Sequence, residues 1–213
     1  LASLVDLESI RHSGLKIVVD PMFGAGMGYF QKLISGGRTS ITEIHGERNP
    51  NFPGMTQPEP LAHNLNDLMA IVTNQKADIG LATDGDADRL GIVDSDGHFI
   101  TTLQSFALLC LYQLEILGKR GPMVRSITMT NMIDKLGQKY EVPVFETPVG
   151  FKYLGPMMIR ENALAAGEES GGYAFRGHIP ERDGILSGLM VLDMMVKTGA
   201  SISKLLDRLF EVV

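Results

Sequence analysis

Cysteine is nearly absent from the 213 residues, which hold a single one, Cys110. That excludes an intrachain disulfide, and its place inside the apolar run Phe106–Tyr112 marks it as a small buried hydrophobe. Positive charge is also scarce: 19 Lys and Arg against 25 Asp and Glu give a formal net charge of −6. Nucleic acid and anionic membranes both need a basic surface, so neither is an expected partner. Long apolar runs are missing too. The run through Tyr112 breaks at Gln113 and Glu115, far short of the ~20 apolar residues a membrane-spanning helix needs. The leading segment Leu1–Arg11 carries two acids and lacks the basic start of a secretory signal. These absences make a soluble, cytoplasmic protein the expectation.

What is present is a globular composition, 44% hydrophobic and 21% charged, with Gly and Pro spread along the chain. Short β-branched or apolar segments bounded by Gly, Pro, Asn or Asp predict strands at 16–20, 39–45, 77–83, 91–94, 126–130, 144–147 and 163–167. Helical patterns lie between them at 61–74, 105–117, 132–140 and 185–197, and Ser201 is placed to cap a last helix through Phe210. The helix over 185–197 is apolar nearly all round and is expected to be deeply buried. Alternating strands and helices argue for α/β sheets. A hairpin around Ser95-Asp96-Gly97, followed by a long helix, suggests two tandem mixed-sheet α/β domains, 1–101 and 102–213, closely packed because no Pro- or Ser-rich linker separates them.

The strongest chemical signal is Thr83-Asp84-Gly85-Asp86-Ala87-Asp88-Arg89, directly after a predicted strand. Three carboxylates at alternate loop positions can converge on one hard cation, and without one they repel. An EF-hand calcium loop is excluded, because its sixth and twelfth positions require Gly and Glu and here are Arg89 and Ser95. Three ligands with an open position suit magnesium. Arg89 adds a fork that fits a phosphate at the same ion.

A second constellation, Gly167-Glu168-Glu169-Ser170-Gly171-Gly172, sets acids and a hydroxyl on a flexible loop able to accept from and donate to neighbouring sugar hydroxyls. Gly24, Gly26 and Gly28 miss the dinucleotide spacing, and the five histidines show no metal-site spacing. The Pro- and Asn-rich stretch 49–60 carries no assigned chemistry.

The segment Asp84–Arg89, continued by Leu90-Gly91-Ile92-Val93-Asp94, resembles the metal-binding loop of the α-D-phosphohexomutases. The segment 167–172 resembles their sugar-binding loop. Further likenesses are Glu146-Thr147-Pro148-Val149-Gly150-Phe151-Lys152-Tyr153 and His178-Ile179-Pro180-Glu181-Arg182-Asp183-Gly184. The resemblance implies Asp84, Asp86 and Asp88 as Mg2+ ligands and Arg89 as a contact to a phosphoserine. It implies Glu168 and Ser170 as sugar ligands, with Gly150 and Phe151 lining the same cleft. Arg182 stands where some phosphoglucomutases carry a lysine assigned to substrate binding or proton transfer. Arginine holds its proton too tightly to act as a base, so Lys152 is the titratable candidate and Arg182 a phosphate or hydroxyl ligand.

The resemblance spans nearly the whole chain but only the two central domains of a four-domain architecture. No serine here has the context of the family's phosphorylated serine, and no segment matches its last-domain phosphate loop. The chain is therefore expected to be a fragment, inactive alone, whose partners are the N- and C-terminal domains of the same enzyme. The implied activity interconverts hexose 1-phosphate and hexose 6-phosphate through glucose 1,6-bisphosphate, with glucose favoured and mannose accepted. Glutamate at position 169 and glycine at 172, where glucosamine-preferring loops carry Gln and His, favour glucose. The alternatives are a metal-dependent phosphohydrolase, which would need further His or Asp ligands, and a non-catalytic sugar-phosphate-binding module.

Overall fold

A computed structural model describes residues 3–213; Leu1 and Ala2, which open the leading segment and the first expected domain, lie outside the described residues. Two mixed α/β sheets organise the chain. The first has the order β2-β1-β3-β4-β5, from β1 (Lys16–Asp20), β2 (Ser40–Glu43), β3 (Ile79–Thr83), β4 (Leu90–Asp94) and β5 (Phe99–Ile100). β1 pairs in parallel with β2 and β3, while β4 returns antiparallel beside β3. The second repeats this plan with order β7-β6-β8-β9, from β6 (Met123–Ser126), β7 (Val144–Thr147), β8 (Ala165–Gly167) and β9 (Tyr173–Phe175). Its first three strands are parallel, and β9 is the antiparallel edge.

Among the described residues, eight α-helices accompany these strands: α1 (Leu7–His12), α2 (Tyr29–Ile34), α3 (Asn66–Gln75), α4 (Thr102–Leu111), α5 (Met132–Lys139), α6 (Phe151–Arg160), α7 (Gly184–Thr198) and α8 (Ile202–Val212). α4 opens on a reciprocal capping box between Thr101 and Gln104 and runs into a π-helical turn, Tyr112–Ile116. Ser201 caps α8, as its position predicts. α7 is buried along nearly its whole length and touches both sheets, through β3 and β4 of the first and β9 of the second. One core cluster therefore runs from Ile10, Ile17 and Leu81 through Cys110 and Leu189 to Leu209. No single helix among the described residues is long and apolar enough to cross a membrane; α7 and α8 pass only as a pair, and they are bent by 86°.

Several expectations need correction. The strand expected at 126–130 lies at Met123–Ser126, in register with Val144–Thr147. Beyond it the chain turns, with Met129 N–H donating to Ser126 O, and the Ser126 and Thr128 hydroxyls reach the Glu169 carboxylate. The strand expected at 39–45 stops at Glu43, and His45 takes a left-handed φ of 48°. The helix expected at 61–74 is a 3-10 turn, Ala62–Asn64, followed by α3. The helices α1 and α6 and the strand β9 carry no sequence expectation. In α6 the pattern is interrupted by Gly155 and Pro156, which the structure accommodates within the helix.

Candidate functional site

The aspartate loop turns back at the end of β3. Asp84 is buried, and its Oδ1 accepts from the N–H groups of Asp88 (2.9 Å) and Arg89 (3.0 Å). Those bonds curl the loop so that Asp84, Asp86 and Asp88 bring ligand oxygens within 4.8 Å of one another. The curl requires a left-handed φ of 64° at Ala87. Asp86 is exposed and Asp88 half-buried.

The electrostatics of the loop are strained. Burial, with the nearby charges of Asp88 and Asp86, pushes the Asp84 carboxyl from 3.8 up to about 7, although the Arg89 N–H opposes the rise. Burial also raises the Asp88 carboxyl, against the pull of Arg182. Three convergent carboxylate oxygens, with burial making the ionised forms of Asp84 and Asp88 costly, match the donor set of a hard divalent cation. The residues present therefore fit Mg2+, with Asp84, Asp86 and Asp88 as the groups that would hold it.

Neighbouring loops brace this one through backbone contacts. Gly85 N–H donates to Pro58 O (3.3 Å), and Gly85 O accepts from Ala25 N–H (2.9 Å). A Cβ on Gly24 would lie 2.6 Å from Gly85 O, so the glycine turn at 24–28 is a close-packed support for the loop. Gly184 N–H donates to Ala87 O (3.0 Å), which ties the start of α7 to the loop. On the far side, Leu90 N–H donates to Gly171 O (3.0 Å), and Arg89 and Gly172 form a β-bridge between the two sheets. The aspartate loop and the 168–172 loop, far apart in sequence, are thus joined backbone to backbone.

The 168–172 loop closes on itself through Glu168 N–H to Gly172 O (3.0 Å) and Gly171 N–H to Glu168 O (3.1 Å). Glu168 is buried, and burial raises its carboxyl, with the Arg182 charge opposing. Ser170 is half-buried on the same turn. The Glu169 side chain leaves the site, accepting from Thr128 Oγ1 (2.5 Å) and Ser126 Oγ (3.0 Å). Against burial, the Thr128 hydroxyl holds its carboxyl low.

Two cations stand over the acids. Arg89 Nη1 donates to Glu59 Oε1 at 2.8 Å, and its Nε lies 3.4 Å from Asp84 Oδ2. Arg182 Nη2 lies 2.7 Å from Asp88 Oδ2, and Nη1 lies 3.7 Å from Glu168 Oε2. The Arg182 guanidinium also stands 5.7 Å from the centre of the buried Phe151 ring. Gly150, with φ 118°, caps α6 beside them. Lys152 is not drawn into this cluster: it is exposed, and its ammonium lies 5.1 Å above the Tyr153 ring. The structure thus gathers Asp84, Asp86, Asp88, Arg89, Arg182, Glu168 and Phe151, and leaves Lys152 at the rim.

Glu59 carries no expectation from sequence, yet it pairs with Arg89 and lines a cleft of about 380 Å³ with Pro58, Asp84, Asp86 and Arg89. A second cleft of about 270 Å³ flanks the loop between Tyr29, Asp86, Asp88 and Arg182. A larger cavity of about 610 Å³ lies elsewhere, between the α1 segment and Asp193 and Lys197. Its buried acid, Asp193, is already bound by Tyr112 and Lys197, so the site is placed at the aspartates. The histidines bring one surprise: His98 stands with Asp94 and Asp96 in a second, more exposed group. Its residues stand at alternate positions, the spacing of the aspartate loop itself, so the signal was present in the sequence although the histidines taken alone showed none.

Comparison with known proteins agrees with this geometry. Residues 1–97 match the family model for phosphoglucomutase/phosphomannomutase α/β/α domain II, and residues 103–213 match that for domain III. A phosphoglucomutase/phosphomannomutase of Thermococcus kodakarensis is 32% identical over 205 residues, covering 96% of this chain and 44% of its own length. A phosphoglucosamine/phosphogalactosamine mutase of Sulfurisphaera tokodaii is 30% identical over 211 residues, covering 98% of this chain and 46% of its own. The crystal structure of a Thermus thermophilus protein assigned as a phosphomannomutase superposes with a TM-score of 0.91 at 32% identity, over 99% of this chain and 48% of that one. The chain spans under half the length of these relatives. With both halves matched and both sheets in place, the chain belongs to the phosphoglucomutase/phosphomannomutase family.

Proposed function

We propose that this chain is the metal- and sugar-binding middle of a phosphohexomutase that interconverts hexose 1-phosphate and hexose 6-phosphate, with glucose preferred and mannose accepted. The observation that carries the reading is the backbone junction between the two loops, Leu90 N–H to Gly171 O, which fixes a three-carboxylate cluster beside Glu168 and Ser170. Asp84, Asp86 and Asp88 hold Mg2+, which when bound offsets charge on a transferring phosphoryl group. Arg89, braced by Glu59, faces the phosphoserine of a domain outside this chain. Glu168 and Ser170 bind sugar hydroxyls, so the ring can be held in either of two orientations through the glucose 1,6-bisphosphate stage. Arg182 supplies a fixed positive charge, and any proton transfer falls to Lys152 or to a group outside the chain. Glucose is preferred over glucosamine because Glu169 is committed to Ser126 and Thr128 and Gly172 offers no side chain to an amino group.

The phosphohydrolase reading loses support from the second acidic group. Asp94 closes the far end of β4, roughly 14 Å from Leu90 along the strand, too distant to complete a two-metal cluster with Asp88.

The test is Mg2+ titration calorimetry on this chain and on Asp86→Ala, with and without glucose 1,6-bisphosphate. Binding that the substitution abolishes and the bisphosphate strengthens is the expected result, with no turnover by the chain alone. Equal binding to both proteins would remove the aspartate loop as the metal site.

A further inference from the structure

Arg182 touches both loops with one side chain. Its guanidinium lies 2.7 Å from Asp88 Oδ2 and 3.7 Å from Glu168 Oε2, with the Phe151 ring at 5.7 Å. The position depends on a missing side chain: a Cβ on Gly172 would stand 2.2 Å from Arg182 Cδ and 2.8 Å from Cγ. The arginine stem therefore lies in the space that Gly172 leaves, and no other residue at 172 would leave it there. Its Nε is buried without a hydrogen bond and lies 3.4 Å from Glu181 Oε1, so this pose is held by three carboxylates, of Asp88, Glu168 and Glu181, and by packing.

We propose that Arg182 is a latch whose pairing with Asp88 opposes divalent-cation binding, and that Gly172 is the residue that permits the latch. The proposal rests on the reading of Asp84, Asp86 and Asp88 as the metal loop. A cation about 2 Å from an Asp88 oxygen would repel a guanidinium held against the same carboxylate. Ion and latch are therefore antagonists at Asp88. Linkage makes the antagonism mutual: a bound cation weakens the hold of Asp88 on Arg182 by the factor by which Arg182 weakens the cation. Arg182 released from Asp88 keeps its place beside Glu168, where its free donors suit an anionic phosphate monoester entering between the loops. The metal state of one sheet is thereby passed to the sugar loop of the other through a single side chain.

The experiment is titration of the chain with Mn2+, counting free ion by electron paramagnetic resonance at fixed pH and salt, for the parent, Arg182→Gln, Gly172→Ala and Asp86→Ala. Arg182→Gln is expected to bind Mn2+ roughly 10-fold more tightly than the parent, within the usual range of coupling between sites. Gly172→Ala keeps the charge but expels the arginine stem, and should tighten binding several-fold, by less than Arg182→Gln. A substitution that merely damaged the fold would weaken the ion, so a gain in affinity is diagnostic; circular dichroism confirms that the variants are folded. Mn2+ binding lost in Asp86→Ala but unchanged or weakened in Arg182→Gln overturns the latch and leaves the metal site standing. No Mn2+ uptake by any of these proteins overturns both.

Discussion

At the residue scale, Asp84 concentrates the cost of the site. Its carboxyl is raised from 3.8 to about 7, first by burial and then by its two neighbours, so the folded state binds a proton that the unfolded chain has released. The associated stability is complete below pH about 4 and is lost as pH rises through about 7. Metal-free protein should therefore melt at a lower temperature at pH about 8 than at pH about 5.5. Asp84→Asn should flatten that slope, and an unchanged slope in the variant would place the titration elsewhere. A second prediction concerns Glu168, whose buried carboxylate is proposed to read sugar hydroxyls. Glu168→Gln keeps the shape and removes the charge, and should weaken glucose 1,6-bisphosphate about 10-fold while leaving Mn2+ affinity within a factor of about 3. Equal loss of both ligands would mean that Glu168 shapes the whole site. The aspartates and Glu168 were legible because each set lies in one short run whose chemistry stands out from its composition. Glu59 was not, since nothing in the Pro- and Asn-rich stretch 49–60 indicates that its single acid meets Arg89, 30 residues on.

At the scale of elements, the sequence is most legible where a segment's own periodicity or capping decides its form. β1 and β7 have the expected bounds, and α7 and α8 begin within one residue of expectation, the latter on its Ser201 cap. The errors fall where a distant partner decides. Ser126–Thr130 reads as a strand from its β-branched and hydroxyl residues, yet those hydroxyls are used to hold Glu169 from the opposite loop. α6 is obscured by Gly155 and Pro156, and Gly155 is needed because a Cβ there would lie 2.8 Å from Pro180 O. The contact between α7 and the aspartate loop is equally invisible in sequence. A Cβ on Gly184 would meet Arg89 O at 2.3 Å and Ala87 O at 2.9 Å, both of them backbone atoms that cannot rotate away. Gly184→Ala should therefore cost about 1–3 kcal/mol and weaken Mn2+ binding, although position 184 offers no ligand. Chemical denaturation and the Mn2+ titration check the two halves of that expectation, and an unaltered metal affinity would show that the loop keeps its shape without the support of α7.

At the scale of the whole molecule, two sheets with their own strand orders suggest two units that could unfold separately, but the packing argues otherwise. α7 follows the last strand of the second sheet in sequence and lies against β3 and β4 of the first, where Gly188 lets Phe30 and Leu81 approach. Leu189 and its neighbours belong to the same cluster as Ile17 and Val19 of the first sheet and Met123 and Phe175 of the second. The site depends on that arrangement, because its two loops belong to different sheets and meet only while both are docked. Leu189 is fully buried, so Leu189→Ala should destabilise the protein by about 2–5 kcal/mol through lost burial and the cavity left behind. If the chain is one cooperative unit, that loss is shared. Hydrogen exchange read on peptides covering β1 and β6 should then show protection falling by the same free energy in both. A fall confined to one sheet would mean that the halves open independently, and the junction between Leu90 and Gly171 would then be a contact made and broken in solution. A shared fall means that the carboxylates and the 168–172 loop are held together by the core itself, which lets a cation bound on one sheet be felt on the other.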